Sequence, residues 1–164
     1  MLQEIGGLPQ NNVQGIVSVG QIGVVGGVGV GVGQETTAQY RVIFDATWSE
    51  LTHPADFPAN EPNIARWSPV AGMTHNSSTQ LFEEGTIATQ GIVNISQTGS
   101  RQPLDAEIAA LIEAGTAETY IESGTRVRPS PDTISTTFTV SSSHPFLSLA
   151  SMIAPSPDLS LIHI

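Results

Sequence analysis

Hydrophobic and polar side chains alternate along three stretches of the chain, and this period of two is typical of β-strands. The stretches are residues 40–45, 133–141 and 146–153. The alternation predicts a strand in each of them, and in residues 40–45 it predicts a strand with one apolar face. Two short apolar clusters, Leu81-Phe82 and residues 92–95, predict further short strands.

A helical period is clearest between residues 103 and 114. Pro103 suits the first turn of a helix, and Gly115 suits the position that ends it. The predicted buried stripe of this helix consists of Leu104, Ile108, Leu111 and Ile112. Several short strands with a single helix predict a mainly β fold, an antiparallel β-sandwich with one short α-helix near 103–114.

Two segments depart from regular structure. Residues 53–69 contain four prolines, which exclude a regular helix or a central strand and predict a long, rigid loop. Residues 1–39 form a low-complexity Gly/Val-rich region that we interpret as a leader or linker. A charge-free run between Glu4 and Glu35 is long enough to span a membrane. Its many glycines would make a weak helix, so we do not expect a membrane span here.

Composition narrows the classes of function. The chain has 164 residues and 39% hydrophobic residues, enough for one domain with a modest core. Five arginines oppose fifteen acidic residues, and the net charge of −10 argues against a nucleic-acid partner. The absence of cysteine excludes disulfides, thiolate nucleophiles and Cys-ligated zinc.

Five segments within residues 40–158 resemble the spondin domain, the amino-terminal module of the F-spondin and mindin type that also occurs alone in bacterial secreted proteins. In chain order they read YRVIFDATWSELTHPADFP, WSPVAGMTHN, LFEEGTIATQGI, LDAEIAALIEAG and HPFLSLASMIAPSPD. Their order and spacing match the family across the whole of this range. We therefore expect a spondin-like domain over residues 40–158.

The resemblance implies a non-enzymatic, secreted or cell-surface module that serves adhesion or matrix contact. It implies an extracellular matrix, cell-surface or glycan partner, and calcium bound at one end of the sandwich. The Asp of the family's Pro-Ser-Pro-Asp motif is a calcium ligand and corresponds here to Asp158. The other family ligands lie in a later stretch than this sequence reaches, so we expect an incomplete calcium site.

The chain departs from the family pattern after Asp158. Residues 159–164, LSLIHI, stand where the family continues with Trp and a further strand. They match a translated sequencing adapter, and we expect them to be a non-native tail and the domain to be truncated at its carboxyl terminus.

The residues alone leave other interpretations open. An aspartate after two prolines also suits an exposed turn, which is the alternative for Asp158. His53, His75 and His144 lack the spacing of a metal motif, so we expect structural roles with ring nitrogens bonded to the backbone.

A second function class also stays open, a carboxylate-based hydrolase of the glycosidase type without a recognisable motif. Its candidate carboxylates are Glu83, Glu84, Glu113, Glu118 and Glu122. The aromatic residues Tyr40, Trp48 and Trp67 form either a ligand platform or, as we expect, part of the core and a clamp on the Pro-rich loop.

Overall fold

The computed structural model describes residues 15–25, 36–55, 57–83, 85–155 and 160–162, with the backbone alone in 15–25 and 160–162. The elements are β1 (Gly15–Val25), β2 (Thr37–Ala46), β3 (Arg66–Trp67), β4 (Ala71–His75), α1 (Gln90–Thr98), α2 (Leu104–Glu113), β5 (Ala117–Glu122), β6 (Asp132–Ser141), β7 (Phe146–Ala154) and β8 (Ser160–Ile162).

The first sheet is antiparallel, with β2 between β1 and β6. Along β2, Val42, Phe44 and Ala46 are buried, whereas the residues between them are exposed. The sheet therefore has one face on the core and one in solvent, which is why the alternation of β2 was readable in the sequence.

The second sheet is also antiparallel and has the order β3-β7-β4-β5, with β8 paired to β7. All five residues of β4 are buried, as are the last seven of β7. This sheet is covered on both faces, by the first sheet on one side and by the two helices on the other.

Two hydrophobic clusters lie on the two sides of the second sheet. The cluster between the sheets contains Val42, Phe44, Ala46, Trp67, Val70, Ile121, Val127, Ile134, Phe138, Leu149 and Ile153. The cluster under the helices contains Ala71, Met73, Leu81, Ile92, Ile95, Leu104, Ile108, Ala117 and Ala150. The fold is thus a β-sandwich with a helical layer on one face, and the predicted mainly β, antiparallel fold class is confirmed.

The predictions for the long strands and for α2 are confirmed. Residues 40–45, 133–141 and 146–153 lie within β2, β6 and β7. The helix near 103–114 is α2, in which Leu104 and Ile108 are buried.

The prediction of a strand at residues 92–95 was wrong, because these residues belong to a second helix, α1. The hydroxyl of Thr89 accepts a hydrogen bond from the backbone N–H of Ile92 and caps its first turn. Gly99, at φ 71°, ends it in the left-handed conformation. The predicted strand at Leu81-Phe82 was also wrong: these residues lie in a connection, where Leu81 packs under the helices.

The Gly/Val-rich region contributes β1, whose ten register pairs run alongside β2. Residues 1–14 and 26–35 lie outside the described part of the chain. In the described ranges, no helix has the length and apolar character needed to cross a bilayer.

Candidate functional site

One end of the sandwich is formed where strands of both sheets begin or end. At this end Ala46 of β2 faces Asp132 of β6, and Arg66 of β3 faces Ala154 of β7. The backbone N–H of Ser130 donates to the carbonyl of the residue before Arg66 at 2.8 Å. This bond joins the two pairs of strands, so that β7 leaves the sandwich at the same end at which β6 enters it. We call this region the sandwich end.

The Pro-rich loop is fixed against the sandwich end by hydrogen bonds and an aromatic contact. The hydroxyl of Ser130 donates to the carbonyl of Trp48 at 2.7 Å. The ring of Trp48 meets that of Phe57 edge to face, with centroids 5.6 Å apart. The backbone N–H of Ala65 donates to the carbonyl of Pro58 at 2.8 Å. These contacts confirm that Trp48 clamps the loop.

Two exposed carboxylates lie at the sandwich end. Oδ1 of Asp45 accepts a hydrogen bond from the hydroxyl of Thr133 at 2.9 Å. Oδ1 of Asp132 accepts from the backbone N–H of Thr133 at 2.7 Å. Each carboxylate keeps its second oxygen outside these bonds, so the sandwich end carries oxygen donors of the kind that hard cations prefer.

A third carboxylate at this end, that of Glu61, forms an ion pair with Arg128. Arg128 donates from both its Nε and its Nη2 to the two oxygens of Glu61. The Arg128 guanidinium holds the pKa of Glu61 below its ordinary value, and Glu61 raises the pKa of Arg128. Since Arg66 donates to the carbonyl of Ile64 at 3.1 Å, both cations at the sandwich end are bonded to oxygen atoms.

Asp158, the predicted calcium ligand, lies outside the described residues. The described chain reaches Pro155, directly after Ala154 of β7, and resumes with β8, where Ser160 faces Met152. Within the described ranges, no three His, Asp or Glu side chains come together as a metal site.

His75 is buried in the second sheet with both ring nitrogens bonded. Its Nδ1 lies 2.8 Å from the carbonyl oxygen of Asn76, so Nδ1 is the donor. Its Nε2 lies 2.8 Å from the hydroxyl of Ser148 and accepts from it. The ring of Phe146 stacks on the imidazole at a centroid distance of 5.9 Å. A serine and a histidine at this distance resemble a nucleophile and its base, but both are buried, and the pair is structural.

The other two histidines lie elsewhere. Nε2 of His144 donates to the carbonyl of Gly115 at 3.2 Å, and its Nδ1 lies 3.9 Å from Oε2 of Glu118. Nδ1 of His53 bonds to the neighbouring Thr52 hydroxyl at 2.9 Å. His75 and His144 thus bond to the backbone as the structural interpretation predicts, and His53 bonds to a side chain.

The carboxylates proposed for a glycosidase have separate roles. Glu122 forms an ion pair with Arg101 and accepts from the hydroxyl of Tyr120 at 3.4 Å. Oε2 of Glu118 is buried without a hydrogen-bond partner in the described part of the molecule. Glu83 and Glu113 are exposed, and Glu84 lies outside the described residues.

The aromatic residues belong to the core, as expected. Trp67 is 2% exposed and meets Phe44 edge to face, with centroids 4.9 Å apart. Tyr40 stacks on Phe138, with ring centroids 6.3 Å apart.

The sequence did not predict the Arg128–Glu61 ion pair, whose members are 67 positions apart in the chain. Charge pairs across such a distance leave no periodic signal in one sequence.

Comparison with known proteins gives a consistent set of relatives. Residues 38–161 match the family model described as Spondin_N. The chain is 32% identical over 130 residues to Spondin-1 of Gallus gallus and 33% identical over 130 residues to Spondin-1 of Mus musculus. It is 27% identical over 121 residues to Spondin-2 of Homo sapiens.

Each of these matches covers 74% of this chain. The chain spans 15% of the length of those Spondin-1 proteins and 36% of that Spondin-2.

Proposed function

Because this chain belongs to the Spondin_N family, we propose that it is a non-enzymatic extracellular binding module that uses calcium at the sandwich end. The module contacts an extracellular matrix, cell-surface or glycan ligand, and it acts outside the cell, either secreted or at the cell surface. Asp158 is the calcium ligand of this proposal.

The observation that carries the proposal is the convergence of β7 and the carboxylate-bearing strands at one end of the sandwich. Asp158 follows Ala154 by four residues, and four residues of extended chain span at most about 14 Å. A tether of this length supports the proposal that Asp158 contributes to the end that carries Asp45 and Asp132.

The chemistry of the available donors fits calcium. Calcium takes six to eight oxygen ligands, and Asp132, Asp45 and the loop carbonyls offer oxygen alone. Glu61 is unsuited to the role because Arg128 already occupies both of its oxygens. We infer a weak site in this chain, since few carboxylates are at hand.

The hydrolase alternative has less support. A glycosidase needs two carboxylates facing each other across a cleft, one of them free to accept or donate a proton. Glu122, which lines a groove, is instead neutralised by Arg101 and bonded by Tyr120. No observation on this chain favours the hydrolase over the binding module.

A cell-attachment assay tests the proposed function. Surfaces coated with this chain are expected to retain suspended cells in the presence of calcium, and to lose them when EGTA is added. Asp158→Asn is expected to reduce attachment, whereas Glu113→Gln, at the exposed end of α2, serves as the matched control and leaves it unchanged. Attachment no greater than on an albumin-coated surface would overturn the binding function, and attachment unaffected by EGTA would overturn the role of calcium.

A further inference from the structure

A polar groove of about 850 Å³ lies on the side of the second sheet where the helices meet its edge strand. The helical side of the groove contributes Arg101, Gln102 and Asp105. The other walls contribute Tyr120 and Glu122 of β5 and Arg126 from the loop that follows. A volume of this size suits a small-molecule ligand, but the polar lining differs from the apolar pockets that bind most cofactors.

The four charged side chains that line this groove, Arg101, Asp105, Glu122 and Arg126, differ in whether they already have partners. Arg101 is ion-paired with Glu122. Oδ1 of Asp105 accepts from the backbone N–H of Ala106 at 2.9 Å. Arg126 is exposed and forms no hydrogen bond or ion pair with any part of the chain that the structure describes. The groove therefore offers one uncommitted guanidinium beside a neutralised ion pair.

Tyr120 supplies an apolar surface together with a hydroxyl group. Burial is the largest cause that raises its pKa above the ordinary value, so the phenol stays neutral and keeps its proton. A partly buried aromatic ring with a polar tip is suited to contact one face of a sugar ring. Gln102 adds an amide that both donates and accepts.

We propose that this groove binds a saccharide that carries a single carboxylate, of the uronic-acid class. The guanidinium of Arg126 takes the carboxylate in a bidentate pair. The ring of Tyr120 lies against the sugar, and Gln102 and Asp105 bond to its hydroxyls. The site is separate from the proposed calcium ligand and does not depend on the calcium proposal.

The charges of the chain favour one carboxylate over a more highly charged ligand. The net charge of the chain is −10, which repels long polyanions such as sulfated polysaccharides. Within the groove, the carboxylate of Asp105 opposes a phosphate dianion, and Arg101 is already paired with Glu122. Among anionic ligands, one with a single negative charge and several hydroxyls meets the unpaired guanidinium at the smallest electrostatic cost.

An NMR titration of backbone amides in EGTA tests the proposal with methyl glucuronoside and methyl glucoside as probes. The glucuronoside is expected to shift the amides of residues 99–102 and 124–126, and to bind about tenfold more tightly than the glucoside. Arg126→Gln is expected to remove this preference. Arg41→Gln, which removes an exposed arginine of β2 outside the groove, is the matched control and is expected to keep it.

Several results would overturn the proposal. These are a glucuronoside affinity no higher than that of the glucoside, shifts confined to other residues, an unchanged preference in a folded Arg126→Gln variant, or no saturable binding. Because calcium is absent throughout, these results are independent of the calcium site.

Discussion

The Nε2 of His75 lies 2.8 Å from the hydroxyl oxygen of Ser148, across the β4–β7 pair in the middle of the fold. Nδ1 of the same ring donates to the carbonyl of Asn76, so Nε2 is the acceptor and the serine hydroxyl is the donor. Both side chains are buried, at 6% and 3% exposure, and neither nitrogen is left without a partner.

Ser148→Ala is therefore expected to leave a buried acceptor unsatisfied and to lower the free energy of unfolding by about 1–3 kcal/mol. Urea denaturation measures this change. Ser77→Ala, at an exposed turn position, is the control and is expected to alter stability by less than about 0.5 kcal/mol. Equal effects of the two substitutions would contradict the structural role of the pair.

The close approach of the two helices depends on Gly91. A Cβ at this position would lie 2.6 Å from Cα of Leu104 and 2.5 Å from Oε2 of Glu107. Gly91→Ala is expected to destabilise the chain by about 1–3 kcal/mol through overpacking, although alanine favours helices. Thermal denaturation followed by circular dichroism measures the loss.

Gly85 gives the comparison for this prediction. It has φ 83° and open space around it, so Gly85→Ala is expected to cost only the left-handed backbone strain, about 1 kcal/mol. If Gly91→Ala melts at the temperature of the unaltered protein, the packing of α1 on α2 is not as described.

Burial of Tyr120 predicts a measurable alkaline titration. Tyr40 and Tyr120 are the only tyrosines, so Tyr40→Phe leaves one phenol to observe. Its pKa in the folded chain is expected to lie above the pKa in the urea-unfolded chain, because burial disfavours the phenolate. Phenolate absorbance against pH gives both values, and identical midpoints would contradict the burial of Tyr120.

The raised pKa of Tyr120 makes the free energy of unfolding depend on pH in the alkaline range. The folded-state pKa of Tyr120 is raised, so its contribution to stability is complete below the unfolded pKa of about 10 and is lost as pH rises through the folded pKa. Tyr120→Phe is expected to lose less stability than the unaltered chain across this alkaline range.

The Glu61–Arg128 ion pair predicts that the free energy of unfolding falls at acid pH. The pKa of Glu61 is lowered, so its contribution is present above the unfolded pKa and is lost as pH falls through the folded value. Glu61→Gln is expected to reduce the dependence of stability on pH below about 4.3. Glu50→Gln, at another exposed glutamate, is the control.

Both carboxylates of this comparison are exposed, so salt should screen the pair. Denaturation curves at low and at high salt measure this. A Glu61→Gln variant with the same acid dependence as Glu50→Gln would show that the ion pair does not stabilise the Pro-rich loop.

Two strands of the first sheet, β2 and β6, were predictable because their buried and exposed residues alternate along the chain. In β2, Val42 and Phe44 alternate with exposed residues, and that alternation is written into the sequence. The strand β4 gave no such signal. All of its residues are buried between the first sheet and the helices, and the sequence Ala71–His75 has neither alternation nor a long apolar run.

Helix α1 was mistaken for a strand because its apolar residues are β-branched. Ile92 and Ile95 favour strands in isolation, but they are three positions apart and face the same core from one side of a helix. The cap at Thr89 and the stop at Gly99 were present in the sequence and mark the correct boundaries. Ile92 and Ile95 share a buried cluster with Leu104 and Ile108 of α2, and this packing favours the helix over the strand.

The candidate site was less accessible to sequence reasoning than the fold. Asp158 came from the family resemblance, whereas the side chains around the sandwich end are brought together by pairings such as Arg66 with Ala154. The groove lined by Arg101, Tyr120 and Arg126 was not predicted at all, because its walls come from three separate segments.

Calcium titration by calorimetry tests the central claim most directly. The chain is expected to bind calcium weakly, with a dissociation constant on the order of 1 mM, the weak end of extracellular calcium modules. Asp158→Asn is expected to abolish the binding heat, and Asp105→Asn to preserve it. Equal calcium affinity in the Asp158→Asn variant and the unaltered chain would contradict the assignment of Asp158 as the calcium ligand at the sandwich end.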